Sequence, residues 1–341
     1  MPSSISNSDF RAEKYLKNNN WFLVWVAVAV VLFLVLGSWE IVWRYRGFTP
    51  QITDDWPVWS AIRRQANNNE RAIALVGASR ILLGLDPAIL GQTMNRPVHM
   101  LAIDGSDPLP ILAHLADDPD FSGDVICSFP PYWLGGNGSS SGDRAEKWVR
   151  KYSSQPLSSK VETRLSLLIQ ANLAFRYSGL SPAKLWEKWW EDEAIRPPYA
   201  PMRPDRYRPA DYSLTDLASL REARVQRTRE LHENVDMFNH EEFRKRIAII
   251  QKAVDSIRSR GGEVFFVRFP SCGEVKAIEE TYVPRRRYWD IFARELSAFT
   301  IHSDDYPKLQ NFTCMDGSHL GYDDANYFTR ELAAILQRLS G

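Results

Sequence analysis

The stretch "WFLVWVAVAVVLFLVL", Trp21 to Leu36, restricts this chain more than any other feature. With Gly37, Ser38 and Trp39 it makes nineteen residues without a charge before Glu40. A helix needs about 20 apolar residues to cross the hydrocarbon core of a bilayer, where no water is present to satisfy a bare backbone. The run therefore predicts one membrane-spanning helix over residues 21–43. Trp21, Trp39 and Trp43 fall near its ends, where amphipathic rings favour the headgroup region. A cleaved signal peptide would have a shorter apolar core with small residues after it. Here "GSWEIVWRYR" follows, and the one Ala-x-Ala, at Ala27 and Ala29, lies mid-run, so the expectation is an uncleaved anchor.

Arg11, Lys14 and Lys17 precede the run, and Arg44 and Arg46 follow it, so flanking charge orients the helix only weakly. A lone early anchor ordinarily exports what comes after it. That gives residues 1–20 as a cytoplasmic tail and the large C-terminal part as extracytoplasmic. Residues 44–70 read as a juxtamembrane connector, with "ITDDWP" as a turn and a short helix near "VWSAIRRQANNN".

From Arg71 the pattern becomes alternating. "RAIALVGAS", "PVHMLAIDG", "GDVICSFPPYW" and "EVFFVRFP" are short apolar runs bounded by turn residues, as buried strands are, and "TIHSDDY" is a shorter fifth. Between them "DPAILGQTM", "DPLPILAHLADD", "RKRIAIIQKAVDSIRSRGG" and "PRRRYWDIFARELSAF" carry helical spacing, and "DDANYFTRELAAILQRL" closes the chain as a helix. Asp86 can cap the first of these, with Pro87 suited to its opening position. Strands alternating with helices imply βαβ units and a parallel sheet, an α/β domain over residues 71–341.

Residues 140–240 fit no simple crossover and read as a helical insertion over one end of the sheet, a lid or a partner surface. It contains "LSSKVETRLSLLIQANLAFRY" and "SPAKLWEKWWEDE" as helices, then the Pro-rich "RPPYAPMRPDRYRPADY". Trp186, Trp189 and Trp190 share one helix face, a stripe that usually means packing. "REARVQRTRELHE" reads as a solvated helical face with interleaved charge. Net charge is +0, which leaves no electrostatic footprint for nucleic acid, and the 44% hydrophobic content can fill a sizeable core. Cys127, Cys272 and Cys314 form no CxxC pair, which argues against a zinc site and a disulfide framework, although two of them could pair in an oxidising compartment. No histidine cluster has metal-ligand spacing, and no pattern calls for a cofactor.

Ligands of open α/β sheets bind at the carboxyl ends of the strands. That directs attention to "VGASR", where Ser79 sits at a strand-to-helix turn behind Gly77 with its hydroxyl exposed. A Gly-Ser turn or helix cap is the plainer reading, and the Gly-x-Ser-x-Gly elbow is absent because Arg80 and Ile81 follow. Near the C-terminus, "CMDGSHLGYDDANYF" places Asp316 and His319 three apart in a Gly-rich turn before the last helix. They are either a cap and a packed ring or the base half of a triad. Among the other histidines, His99 reads as packing, His114, His232 and His240 as solvated helix positions, and His302, near Asp304 and Asp305, as the rival base. Arg268, ending the fourth strand, either binds an anionic substrate or pairs with Glu274 or Glu263. Arg80, directly after Ser79, likewise either binds an anionic substrate or forms a structural ion pair.

The order of these elements resembles the SGNH/GDSL hydrolase superfamily, through "GAS" at 77–79 and "DGSH" at 316–319, over about residues 71–135 and 240–341. The resemblance implies a three-layer, flavodoxin-like parallel sheet and a Ser79, His319, Asp316 triad. It implies an oxyanion hole from the backbone of Ser79 and of Gly105 in "AIDGSDP". The family's Asn after the third strand, in Gly-x-Asn-Asp, has no counterpart in "CSFPPYW", which leaves Asn137 in "GGNG" as the candidate. The family's "GDS" is altered to "GAS". Arg80 and "GLDP" are similar to the membrane-tethered branch that acylates envelope polymers, such as the alginate O-acetylation proteins. The function this implies is an acyltransferase that O-acetylates an envelope or secreted polysaccharide through an acyl-serine. It would use Arg80 and Arg268 on substrate, and a polytopic membrane-bound O-acyltransferase or a synthase as partner. An extracytoplasmic carbohydrate or lipid esterase, or a non-catalytic partner of a polysaccharide synthesis complex, are the alternatives. The family resemblance alone implies a bacterial inner membrane, with the large C-terminal part in the periplasm.

Overall fold

Ile73–Val76 carries four apolar side chains in a row, all buried, because both faces of the strand they form are covered. This strand, β1, heads a set of five: β2 (Val98–Met100), β3 (Asp124–Cys127), β4 (Val264–Arg268) and β5 (Phe299–His302). The structure is a computed structural model describing residues 21–68, 71–135, 144–233 and 240–340. The strands lie in the order β2-β1-β3-β4-β5, and every neighbouring pair is parallel. The sequence order reverses between β1 and β3, which makes their carboxyl ends the topological switch point of the sheet.

Successive strand residues point to opposite faces. Ala74, Val76, Val125, Cys127, Val264 and Phe266 enter one core, with the helices Leu109–Asp117 and His240–Arg258 packed over them. Ile73, Leu75, Ile126, Phe265 and Val267 enter the other, beneath the helices Pro87–Met94 and Tyr322–Ser340. The result is helix, sheet and helix in three layers. Asp86 caps Pro87–Met94 by accepting from Ala88 N–H at 2.8 Å.

The apolar run forms a 25-residue helix, Trp21–Tyr45, long and apolar enough to cross a membrane, and no side chain from Trp21 to Leu36 is buried within the chain. It belongs to a compact unit that ends at Phe48, and the second unit begins at Thr49. That second unit includes the helix Trp56–Asn67, which the sequence reading assigns to the connector. Asp55 caps it through Val58 N–H at 3.0 Å, and buried Trp59 donates Nε1–H to Leu101 O at 2.9 Å.

Other expectations differ in detail. "PRRRYWDIFARELSAF" is not one helix: a 3₁₀ turn at Arg285–Arg287 precedes Trp289–Glu295, which stops because Phe299 must extend into β5. "GEVKAIEETY" forms an unanticipated helix, Gly273–Tyr282. The insertion folds into the helices Arg144–Tyr152, Leu157–Asn172, Pro182–Trp190 and Leu217–Glu233. Its tryptophan stripe is not packing: Trp186, Trp189 and Trp190 are 63%, 68% and 75% exposed. The Pro-rich segment does pack, against the turn after β1. Arg208 N–H bonds Leu82 O at 2.9 Å, and Arg203 pairs with Asp86 at 2.7 Å.

Candidate active site

The turn after β1 is held from both sides. Ile103 N–H bonds Gly77 O at 3.0 Å from the β2 side, and Ser128 N–H bonds Val76 O at 3.0 Å from the β3 side. The chain then turns at once into the short helix Ser79–Gly84. Gly77 is required by this tight entry, because a Cβ there would lie 2.4 Å from Ile81 Cγ1 and 3.3 Å from Ser128 O. Ser79 opens the helix, half-buried at the carboxyl edge of the sheet.

The late segment is folded around its own carboxylate. Oδ1 of Asp316 accepts from the N–H groups of Ser318 and His319 at 2.9 and 2.8 Å. Gly317, at φ +86°, lets the chain turn that tightly, and its carbonyl accepts from Cys272 N–H at 2.9 Å. Oδ2 of Asp316 faces His319 Nδ1 at 2.8 Å. His319 Nε2 faces Ser79 Oγ at 2.8 Å. The structure thus joins Ser79, His319 and Asp316 in one hydrogen-bonded chain. An ionised carboxylate only accepts, so Nδ1 carries the imidazole proton and Nε2 is left to accept from the serine hydroxyl.

Asp316 is fully buried and His319 is 3% exposed. Burial opposes ionisation of Asp316, but His319, Arg224 and the Ser318 N–H outweigh it and hold the carboxyl below the usual carboxylate range. Burial lowers the affinity of His319 for a second proton, against the pull of Asp316. The imidazole is therefore neutral at pH 7, the state a general base needs.

The remaining expected site residues sit as follows. Gly105 is exposed in a left-handed turn, φ +63°, two residues beyond the Ile103 bond to Gly77. Asn137 lies outside the described residues. Arg80 and Arg268 converge on one buried acid, Glu279. Arg80 Nη2 takes Oε1, Arg268 Nη2 takes Oε2 at 2.6 Å, and Ser271 Oγ also donates to Oε2 at 2.8 Å. Glu274 and Glu263, the expected partners of Arg268, are taken instead by Arg229 at 2.6 Å and Arg258 at 3.4 Å. Arg80 also donates to Ser318 Oγ at 3.2 Å, so the Glu279 cluster braces the segment carrying His319. Burial alone would raise the Glu279 carboxyl; Arg80 and Arg268 overcome it and hold it at about 2.

Two histidine readings are corrected. His232 is buried, not solvated: its Nδ1 lies 2.7 Å from Thr228 O and its ring packs against Tyr132 and Tyr282. His114 packs half-buried between Trp59 and Tyr152, and burial lowers it to about 4. His302, the rival base, stands edge-on to Trp289 and accepts from Asp304 N–H at 3.2 Å, lowered by burial to about 4. Among the described residues no group of His, Cys, Asp and Glu could hold a metal ion.

Sequence reasoning missed two residues. Arg224 Nε donates to Asp316 Oδ2 at 3.2 Å from the insertion helix Leu217–Glu233, whose even mixture of charges carries no mark of it. Glu279 did leave a signal. It lies four residues after Val275 and beside Ile278, a charge on the apolar face of its helix. Neither a scan against protein-family models nor a search of curated proteins finds a match to this chain.

Proposed function

We propose that this chain is a membrane-anchored serine acyltransferase of the SGNH type, which O-acylates, most simply O-acetylates, a cell-envelope or secreted polysaccharide. One observation carries the reading: Ser79, His319 and Asp316 form a continuous chain with 2.8 Å at each link, inside the range of about 2.6–3.2 Å that proton transfer needs. His319 Nε2 takes the Ser79 proton as Oγ bonds the acyl carbon of an ester or thioester donor. The tetrahedral oxyanion is met by the backbone N–H groups of Ser79 and Gly105; one such donor is typically worth about 10²–10³ in rate. The leaving group takes the proton from His319 and departs, leaving an acyl-serine. A sugar hydroxyl then gives its proton to His319 and attacks the same carbon, and Ser79 Oγ leaves as it takes that proton back from His319. The helix Trp21–Tyr45 would hold this domain outside the inner membrane, within reach of a polytopic membrane-bound O-acyltransferase that delivers acyl groups across the bilayer.

A fluorophosphonate probe should label the wild-type chain and fail on Ser79→Ala; equal labelling of the two removes Ser79 as nucleophile. With labelling established, incubation with an acyl ester and an acceptor oligosaccharide separates the chemistry. Acyl groups on the sugar identify a transferase, and release to water alone identifies an esterase.

A further inference from the structure

The insertion exposes more apolar surface than its neighbours cover. The helix Leu157–Asn172 turns one face inward: Thr163 is buried, and Leu167 packs on the core. Its opposite face carries Leu157, Val161, Leu165, Leu168 and Ile169, spaced at helical periodicity and 46–76% exposed. After a nine-residue connection the helix Pro182–Trp190 buries no side chain and presents its three exposed tryptophans. Between Leu157 and Glu193 five basic residues balance five acidic ones, so neither a polyanion nor a polycation is the natural cover.

Three successive residues fasten this region to the start of the domain. Ile52 N–H bonds Met202 O at 2.9 Å, Thr53 N–H bonds Gln170 Oε1 at 2.7 Å, and Asp54 pairs with Arg206 at 2.6 Å. Gln170 is on the helix that bears the stripe. Thr53 is eight residues along the chain from Tyr45, where the apolar helix ends, and eight residues reach at most about 28 Å. A bilayer that holds Trp21–Tyr45 is thus always available to this surface, at the high effective concentration a short tether gives.

We propose that the leucine stripe of Leu157–Asn172 and the tryptophan face of Pro182–Trp190 form a lipid-docking surface that seats on the interface of the anchoring bilayer. Indole rings favour the headgroup boundary, and exposed leucines beside them bury into the upper acyl chains. Because the surface is electrically balanced, the seating is driven by apolar burial and does not call for anionic lipid. The proposal rests on membrane attachment through Trp21–Tyr45 and is independent of the chemistry at Ser79.

The test uses the full chain in lipid nanodiscs, comparing the wild type with a triple variant carrying Trp186→Phe, Trp189→Phe and Trp190→Phe. These positions are exposed, so the changes leave the core untouched. The difference in emission between the two reports these indoles alone. It should be lost in discs of phosphatidylcholine brominated high on the acyl chains, be shielded from aqueous iodide, and behave alike when phosphatidylglycerol is added. Leu165→Glu with Leu168→Glu, in the otherwise wild-type chain, should restore iodide access while the span keeps the chain in the disc. Emission quenched by iodide but not by bromolipid overturns the proposal, because the face is then in water. Emission reached by neither quencher overturns it too, because a second copy or another protein then covers the face. A chain that leaves the discs removes the anchor, and the docking with it.

Discussion

Arg224 and His319 share one oxygen of Asp316: Nε–H of the guanidinium lies 3.2 Å, and Nδ1 of the imidazole 2.8 Å, from Oδ2. The arginine belongs to the insertion, the other two residues to the late turn. A cation at that point disfavours a second proton on His319 and so keeps the ring neutral.

Replacing Arg224 by Gln should therefore move the pH dependence of the site. Burial, aided by Arg224 and Arg80, sets the wild-type His319 below 6.5, so fluorophosphonate labelling of Ser79 should persist into mild acid and fall only below pH 6.5. Without the guanidinium the imidazolium is less disfavoured, its pKa rises, and the acid limb of the labelling rate shifts to higher pH. A lower plateau with an unmoved limb would reduce Arg224 to a merely structural role.

Glu279 is the second buried charge whose removal has a definite sign. With Arg80 and Arg268 left facing each other unpaired, Glu279→Gln should cost about 3–5 kcal/mol, the scale for breaking a buried pair. The carboxyl titrates at about 2 in the fold against an ordinary 4.5. Its stabilisation is thus complete above pH 4.5 and lost as pH falls from there towards 2. Thermal unfolding followed from pH 7 to pH 3 should show this acid sensitivity in the wild type and a lower, flatter curve in the variant. Equal melting temperatures at pH 7 would deny the cluster its role.

Much of the fold is legible in the sequence because it rests on local signals. Apolar runs such as "IALV" and "VFFV" have only one environment available, the middle of a covered sheet, and they became β1 and β4. Ser79, Asp316 and His319 were nameable because each sits within two residues of a glycine that marks a turn. What was not legible depends on long-range pairing. Nothing in "REARVQRTRELHE" distinguishes Arg224 from its neighbours, since only the path of the insertion brings it to Asp316. The tryptophans at 186, 189 and 190 show the reverse: periodicity predicts a shared face but is silent on whether another element covers it.

Gly317 and Gly105 both have left-handed backbones, at φ +86° and +63°, but their surroundings differ. A Cβ on Gly317 would lie 2.8 Å from Val275 Cγ2, whereas none would be touched at Gly105. Gly105→Ala should cost only the left-handed penalty, about 1–2 kcal/mol. Gly317→Ala should add an overpacking cost of about 1–3 kcal/mol and displace Asp316, slowing Ser79 labelling as well. Denaturant unfolding of the two variants side by side checks the ranking, and a Gly105→Ala loss equal to or above that of Gly317→Ala contradicts it.

The three cysteines should differ sharply in reactivity. Cys127 and Cys314 are buried, and both thiols are pushed up: Cys127 first by burial, Cys314 first by its hydrogen bond with Cys272. Cys272 is half-buried; hydrogen bonds from the Cys314 thiol and from Cys314 N–H, the latter at 3.2 Å, draw it down to about 6. As a thiol it donates to Phe312 O at 3.1 Å, which opposes ionisation, but the Cys314 donors and Lys276 prevail. The thiolate is the nucleophile, so iodoacetamide should modify Cys272 alone in the folded chain, with a rate that rises through pH 6 and levels off by pH 8. All three should react once the chain is denatured, with mass spectrometry of the digested protein reading the sites. Cys272 N–H also holds Gly317 O, so the added group should disturb the turn that carries Asp316 and slow Ser79 labelling. If native Cys272 instead reacts only above pH 8, like a free thiol, the hydrogen bonds from Cys314 are not governing it. Alkylation that leaves Ser79 labelling unchanged would mean that the turn carrying Asp316 and His319 tolerates movement at Gly317.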